Sequence, residues 1–257
     1  MVLTYHEILP EESRYAYAVT AALFREHLAF LADLPAGRSA APVITFDDGH
    51  LSHYEYGMPL LEEHAFHAIF FVTAGWMQNR PSYMSWAQVR ELAEHGHEVQ
   101  SHGWSHAFLT GCNESELRRE LEQSKDTLEQ RLGKEVDAIS MPGGRWNERV
   151  AHACVAAGYK RIYTSTPWLK PVERHGATHI GRCMIRRTTG LKQLRELLEA
   201  QNRRFHPHRL RHALKETART VVGDRLYQWI WELASAKAVL RQVSSDRAGQ
   251  PEQPRNF

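Results

Sequence analysis

The 257-residue sequence contains only three cysteines, Cys112, Cys154 and Cys183, and no Cys-x-x-Cys spacing joins any two of them. An odd count without paired spacing argues against a disulfide framework and suits a reducing compartment. Neither sign of charge is in excess: the net charge is +2 with histidine neutral, so composition gives no reason to expect nucleic acid as a partner. No apolar run approaches the ~20 residues needed to cross a bilayer. The first residues, MVLTYHEILPEE, lack the basic-then-apolar order of an export signal, which sets the expectation of a cytoplasmic protein. There is no internal repeat and no low-complexity block. What the chain does have is 42% hydrophobic residues, enough for a sizeable core, and 16 histidines, enough to raise the question of metal.

Short apolar runs alternate with amphipathic helical patterns, the order of an α/β fold with parallel strands. MVLTYH reads as the first strand, followed by Val43–Phe46, Ala68–Thr73, His97–Ser101, Ala138–Met141, Arg161–Thr164 and His179–Arg186. Between them, Thr20–Leu34 places Leu23, Phe24, Leu28, Phe30 and Leu31 on one helical face. Met58–His64 is a short helix. Ser85 with Gln88, and Asn113 with Glu116, form capping boxes for helices ending at Gly96 and near Gly133. Asn147 caps Glu148–Ala157, and Leu191–Gln201 is a further helix. About seven strands with helices between them predict a barrel or a doubly wound sheet. The pattern assigns 1–202 to this α/β domain, 203–243 to a basic and aromatic helical extension, and 244–257 to a polar, disordered tail. Two readings stand for 203–243. Its helices pack on the domain through Leu226, Trp229, Trp231 and Leu233, or they lie peripherally on an anionic membrane surface.

The chemistry-bearing residues cluster at predicted strand ends, where such folds gather functional groups. In VITFDDGH, Asp47 and Asp48 stand side by side, an arrangement whose repulsion asks for a cation. In SHGWSH, His102 and His106 are four apart, which would bring both imidazoles to one side of a helical turn. With a distant carboxylate they make the three-ligand zinc set that leaves one position open. In SMPGGRWN, a proline and two glycines form a turn whose backbone N–H groups can approach a ligand, a candidate oxyanion site. Each stretch alone has a plainer reading: surface or core histidines, a capped turn, an ordinary β-to-α loop. Their joint occurrence points to one site.

These stretches resemble the first three motifs of the polysaccharide deacetylases, carbohydrate esterase family four. The motifs are T-F-D-D-G at Thr45–Gly49, S-H-G-W-S-H at Ser101–His106 and P-G-G at Pro142–Gly144, and the likeness runs from about Thr4 to roughly Leu198. The resemblance implies a distorted (β/α) barrel and metal-dependent hydrolysis of N-acetyl, less readily O-acetyl, groups on a sugar. It implies Asp47 as general base, Asp48, His102 and His106 as metal ligands, and the Gly143 N–H as oxyanion donor. The cofactor implied is a divalent metal, zinc first, with cobalt, nickel or manganese also compatible.

The chain departs from the family twice. The arginine that precedes the third-motif proline is Ser140 here; Arg145 is a candidate substitute, a substrate contact or a surface residue. The late L-x-H motif is missing from HIGRCMIRR, which leaves His179 as a candidate acid, or Asp47 acting as both base and acid. His6, ending the first strand, reads as a rim or core histidine. His50 and His53 read as neighbours of the site at most. Trp104, Trp146 and Trp168 stand in or beside the motif loops as candidate platforms for a sugar face. The expected partner is an acetylated saccharide, lipid-linked or nucleotide-linked in a cytoplasmic setting. A glycan-binding protein that keeps the barrel but has lost catalysis is the competing class, favoured by the two departures.

Overall fold

The computed structural model describes residues 1–35, 42–167 and 170–202. The strands of the main sheet are β1 (Val2–Tyr5), β4 (Val43–Phe46), β5 (Ala68–Val72), β6 (Glu98–Ser101), β7 (Ala138–Ser140), β8 (Arg161–Thr164), β9 (Val172–Arg174), β10 (Ala177–Gly181) and β11 (Cys183–Met184). Their order is β11-β1-β4-β5-β6-β7-β8-β10-β9, and all pairs are parallel except β9 with β10. A separate pair joins β2 (Glu7–Leu9) to β3 (Ala18–Thr20).

The two ends of that order meet. β10 and β11 are consecutive in the chain with only Arg182 between them, yet β10 pairs with β8 and β11 pairs with β1. One interrupted strand therefore closes the sheet into a barrel of seven parallel positions. The expectation of a continuous strand over His179–Arg186 is corrected: the ladder breaks at Arg182. Its N–H still bonds the Thr164 carbonyl at 3.1 Å, while Ile185 already bonds Thr4 at 2.9 Å. The short β2, β3 and β9 were not legible in the sequence, because three residues are too few to show a period of two.

Alternation along the strands sorts the side chains into two populations. Ile69, Phe71, Ala138 and Tyr163, with Val2 and Ile180, form a small cluster inside the barrel. Leu3, Ile44, Phe70, Ile139 and Ile162 face outward and belong to the larger core under the helices. At the amino-terminal end of the strands, Arg161 pairs with Glu98 and Asp137. The helices are α1 (Ala21–Ala32), α2 (Met58–Glu63), α3 (Trp86–Glu94), α4 (Glu114–Leu132), α5 (Glu148–Ala156) and α6 (Leu191–Asn202). Both capping boxes are present, Ser85 with Gln88 on α3 and Asn113 with Glu116 on α4, and Gly133 ends α4 at φ 65°. Among the described residues no helix is long and apolar enough to cross a membrane. Trp168, the 203–243 extension and the 244–257 tail lie outside the described residues.

The buried face of α1 comprises Phe24, His27, Leu28 and Leu31. The Leu and Phe side chains contribute about 1.5–3 kcal/mol each by leaving water. His27 is the unexpected member. Its Nε2–H donates to the Thr189 carbonyl at 2.8 Å, so its Nδ1 accepts from the Tyr5 hydroxyl at 3.1 Å. Burial holds its pKa down at about 4. The unfolded chain takes up this proton below about pH 6.5 and the folded chain does not, so acid favours unfolding. Stability is expected to fall between pH 6.5 and 4 by on the order of 3 kcal/mol from this group. A Tm series over that range should show a shallower slope for His27→Asn than for the parent protein.

Candidate metal centre and active site

Neighbouring residues of a strand point to opposite faces, so Asp47 and Asp48 should not both reach the barrel mouth. Asp47 obeys the ladder: its N–H bonds the Tyr5 carbonyl at 3.0 Å and its side chain is buried. Asp48 breaks the alternation by taking φ 76°, a left-handed conformation that costs roughly 1–2 kcal/mol for a residue with a Cβ. Gly49 follows at φ 84°, where a Cβ would stand 2.7 Å from the Met77 methyl. The T-F-D-D-G sequence thus holds two carboxylates at one mouth by bending the backbone between them.

The histidine pair is brought together differently from the helical turn its spacing suggested. Residues 102–106 form an irregular loop with Gly103 at φ 79° and His106 at φ 64°. Buried Glu120 of α4 anchors it, accepting the backbone N–H of Trp104 at 3.0 Å and of Ser105 at 2.8 Å. His102 Nδ1–H donates to the Ser140 carbonyl at 2.9 Å, which leaves its Nε2 lone pair facing Asp48. Asp48 Oδ1 lies 3.3 Å from His102 Nε2 and 3.3 Å from His106 Nε2. A tetrahedral ion with ligands at ~2.0–2.1 Å has ligand-to-ligand edges of about 3.3 Å. Asp48 Oδ1 is buried without a hydrogen bond of ordinary geometry. Among the described residues this trio is the cluster whose ligand atoms all lie within 4.8 Å of one another. The donor set fits a divalent cation.

The electrostatics agree. Burial alone would raise the Asp48 carboxyl, but contact with the two imidazoles holds it well below the usual range. Burial alone would lower His102, and the charges of Asp47 and Asp48 raise it instead. Metal must displace that proton, so affinity should fall with pH. Glu120 offers a test of the loop's part. Glu120→Gln keeps the shape but weakens the anchor, and is expected to reduce zinc affinity about 10–100-fold in a competition titration.

Asp47 is held by a residue that sequence reasoning missed. Arg182, 1% exposed at the barrel seam, donates Nη1 to Oδ1 at 2.6 Å and Nη2 to Oδ2 at 2.8 Å. The Ser140 hydroxyl donates to Oδ2 at 3.1 Å and accepts from Arg182 Nη2 at 2.6 Å. Burial alone would raise the Asp47 carboxyl; the Arg182 and His102 charges bring it to about 2. The arginine absent from position 140 is thus supplied from across the barrel, and the small serine leaves room for it. The signal was a lone arginine between Gly181 and Cys183 in an otherwise strand-like run.

Other candidates fall elsewhere. Arg145 lies over the Phe108 ring at 4.3 Å, and it is Arg182 that grips Asp47. His179 is buried on the outward face of β10, its ring 4.6 Å from Trp146 and 5.9 Å from His175. Because Arg182 and Ile180 point inward, His179 points away from the acid pair. Trp146 accompanies it there. Trp104 packs over Gly75 and lines a crevice of about 370 Å³ with Trp86, Met77 and Arg131. Trp76, not singled out in the sequence, instead stacks on His106 at 5.2 Å. Gly143 sits exposed in the turn at φ 61°, with Phe108 Cε1 2.4 Å from the place of a Cβ. His6 follows β1 and stacks on Tyr17 at 5.0 Å, and its Nδ1 is buried without a partner. Burial lowers its pKa, against the pull of the nearby Asp48 and Asp47 charges. His53 donates to the His6 carbonyl, and His50 Nδ1 bonds the Ser52 hydroxyl at 2.8 Å.

Residues 37–162 match the model of the polysaccharide deacetylase family. YxkH of Bacillus subtilis is 30% identical over 125 residues, 49% of this chain and 44% of that one. A chitooligosaccharide deacetylase of Rhizobium leguminosarum bv. trifolii is 28% identical over 132 residues, 50% of this chain and 59% of its own. The chain spans about half the length of the curated relatives it matches. A solved polysaccharide deacetylase from Bacillus cereus has a TM-score of 0.65 at 24% identity, covering 77% of this chain and 68% of that one. IcaB from Ammonifex degensii has a TM-score of 0.64 at 25% identity, covering 77% and 96%. The solved structures share the barrel and the family model spans the strands that carry all three motif loops, so it is residues 37–162 of the chain that match the polysaccharide deacetylase family.

Proposed function

We propose that this chain is a metal-dependent hydrolase that removes acetyl groups, N-linked in preference to O-linked, from a saccharide. The observation that carries the reading is the pairing of two acids with different supports at one mouth. Asp48 shares the ion-ready trio, while Asp47 stands apart in the grip of Arg182, with Oδ2 4.0 Å from His102 Nε2. A site that only bound a cation would have no use for the second, separately ionised acid.

A divalent cation held by Asp48, His102 and His106 would act as a Lewis acid on the acetyl carbonyl and make water more acidic. Asp47 takes the proton of the attacking water. Arg182 and Ser140 fix the plane of its carboxylate and keep it ionised. The exposed Gly143 N–H serves the developing oxyanion. The departing amine needs a proton, and we assign that role to His6. Its unpartnered Nδ1 lies near both acids, and its lowered pKa makes it a strong acid once charged. His6 takes the role first considered for His179.

The competing reading, a glycan-binding protein that has lost catalysis, leaned on the arginine missing from position 140 and on the missing late L-x-H motif. Arg182 answers the first departure, and the assignment of His6 as acid answers the second. The substrate is an acetylated saccharide, with a lipid-linked or nucleotide-linked one the first to try. Chelated protein is expected to release no acetate from N-acetylated saccharides and to regain release with zinc or cobalt. Mass spectrometry across N-acetylated, O-acetylated, lipid-linked and nucleotide-linked substrates reads the specificity. Acetate release that survives complete metal removal would refute the reading.

A further inference from the structure

Three arginines stand around the barrel mouth, each lying on an aromatic ring that touches the site. The Arg80 guanidinium is 4.3 Å from the centre of the Trp76 ring, which stacks on the metal-ligand candidate His106. Arg186 is 5.4 Å from the Tyr17 ring, which stacks on His6. Arg145 is 4.3 Å from the Phe108 ring, which closes over Gly143 of the oxyanion turn. They come from three separate loops, after β5, β7 and β11, so neither a single helix face nor a single basic run accounts for their placement at this end of the barrel.

The plain account is that an arginine stem covers an aromatic ring and nothing more. That would serve for one of the three. Arg80 and Arg186, however, are exposed and form no ion pair with a described carboxylate, and ordinary surfaces intersperse the two signs. Arg80 and Arg186 are thus placed over aromatic rings without a carboxylate partner, and the planar guanidinium suits the forked bonding that carboxylates and phosphates favour. Beneath the rim, Asp47, Asp48 and Arg182 leave one negative charge, which a divalent cation would more than cancel. Glu7 also lies near Asp48, and burial shifts its carboxyl toward the neutral form.

We propose that the saccharide taken at this mouth carries an anionic group, a phosphate or a carboxylate, close to its acetylated ring. Arg80 and Arg186 are its specificity contacts. The inference rests on the deacetylase reading only for where the sugar sits. The zinc-loaded full-length chain should be titrated calorimetrically with N-acetylglucosamine, N-acetylglucosamine 1-phosphate and N-acetylmuramic acid. At least one anionic probe is expected to bind about tenfold tighter than the neutral sugar. Which one does so tells phosphate from carboxylate. The preference should shrink as salt shortens the ~10 Å screening length of 0.1 M solution. In the double variant Arg80→Gln/Arg186→Gln it should fall to within about threefold, whereas Arg118→Gln, remote on α4, should leave it intact. Equal affinity for all three probes, a preference that survives the double substitution, or no binding of any probe would overturn the proposal. Acetate release followed in parallel separates the two ideas. Charge preference without release defeats the deacetylase reading alone, and release without charge preference defeats this one alone.

Discussion

Asp47→Asn is expected to lower kcat by about 10³-fold while zinc affinity stays within a few-fold of the parent. Asparagine has the shape of the acid but cannot take a proton at neutral pH. Metal retention follows because the trio is Asp48, His102 and His106, and the nearest Asp47 oxygen to a ligand nitrogen is 4.0 Å away. The variant should also be less stable, since it leaves Arg182 as a buried cation without its counter-ion, so rates must be compared well below its Tm. The sign of the pH effect is definite. The folded carboxyl titrates at about 2 and the unfolded one near ~3.9, so the pair contributes about 2–3 kcal/mol above pH ~4, lost as pH falls toward 2. Asp47→Asn removes that part of the acid sensitivity. Normal turnover by the variant, measured as acetate released per folded, zinc-loaded molecule, would dismiss Asp47 as the base.

Arg182→Met should cost about 3–5 kcal/mol of stability, because it strands a buried carboxylate rather than removing a pair. With its main counter-charge gone, burial would push the Asp47 carboxyl upward, so the acid limb of kcat/KM should move to higher pH. A merely structural arginine would lower Tm without moving that limb. Should Arg182→Met fail to fold, Arg182→Lys keeps the charge and loses the fork. Its expected signature is a smaller Tm loss, with kcat reduced about tenfold and the pH limb shifted less. An unmoved pH profile in the lysine variant and a normal kcat would relegate Arg182 to packing.

Much of the barrel was legible before any coordinates, for a local reason. Val43–Phe46 and Ala68–Val72 are dense apolar runs, and the boxes at Ser85 and Asn113 satisfy orphan helix donors within three residues. The break at Arg182 was not legible, because it depends on β10 meeting β8 and β11 meeting β1, partners far away in the chain. The same non-locality hid Glu120 and Trp76. An acid on a charged helix and a tryptophan beside a glycine look ordinary until the loop at 102–106 folds onto them.

The motif residues Asp47, Asp48, His102 and His106 and their strand-end positions were determined by the sequence, because each belongs to a short stretch with its own local grammar. Tertiary structure alone decided the rest. The left-handed turn at Asp48 brings two acids to one face. The β10–β11 seam brings Arg182 from 135 residues along the chain to Asp47 and turns His179 to the outside, while His6 follows the neighbouring β1 near the acids. A barrel closes only when its first and last strands meet, and no window of neighbouring residues contains that meeting.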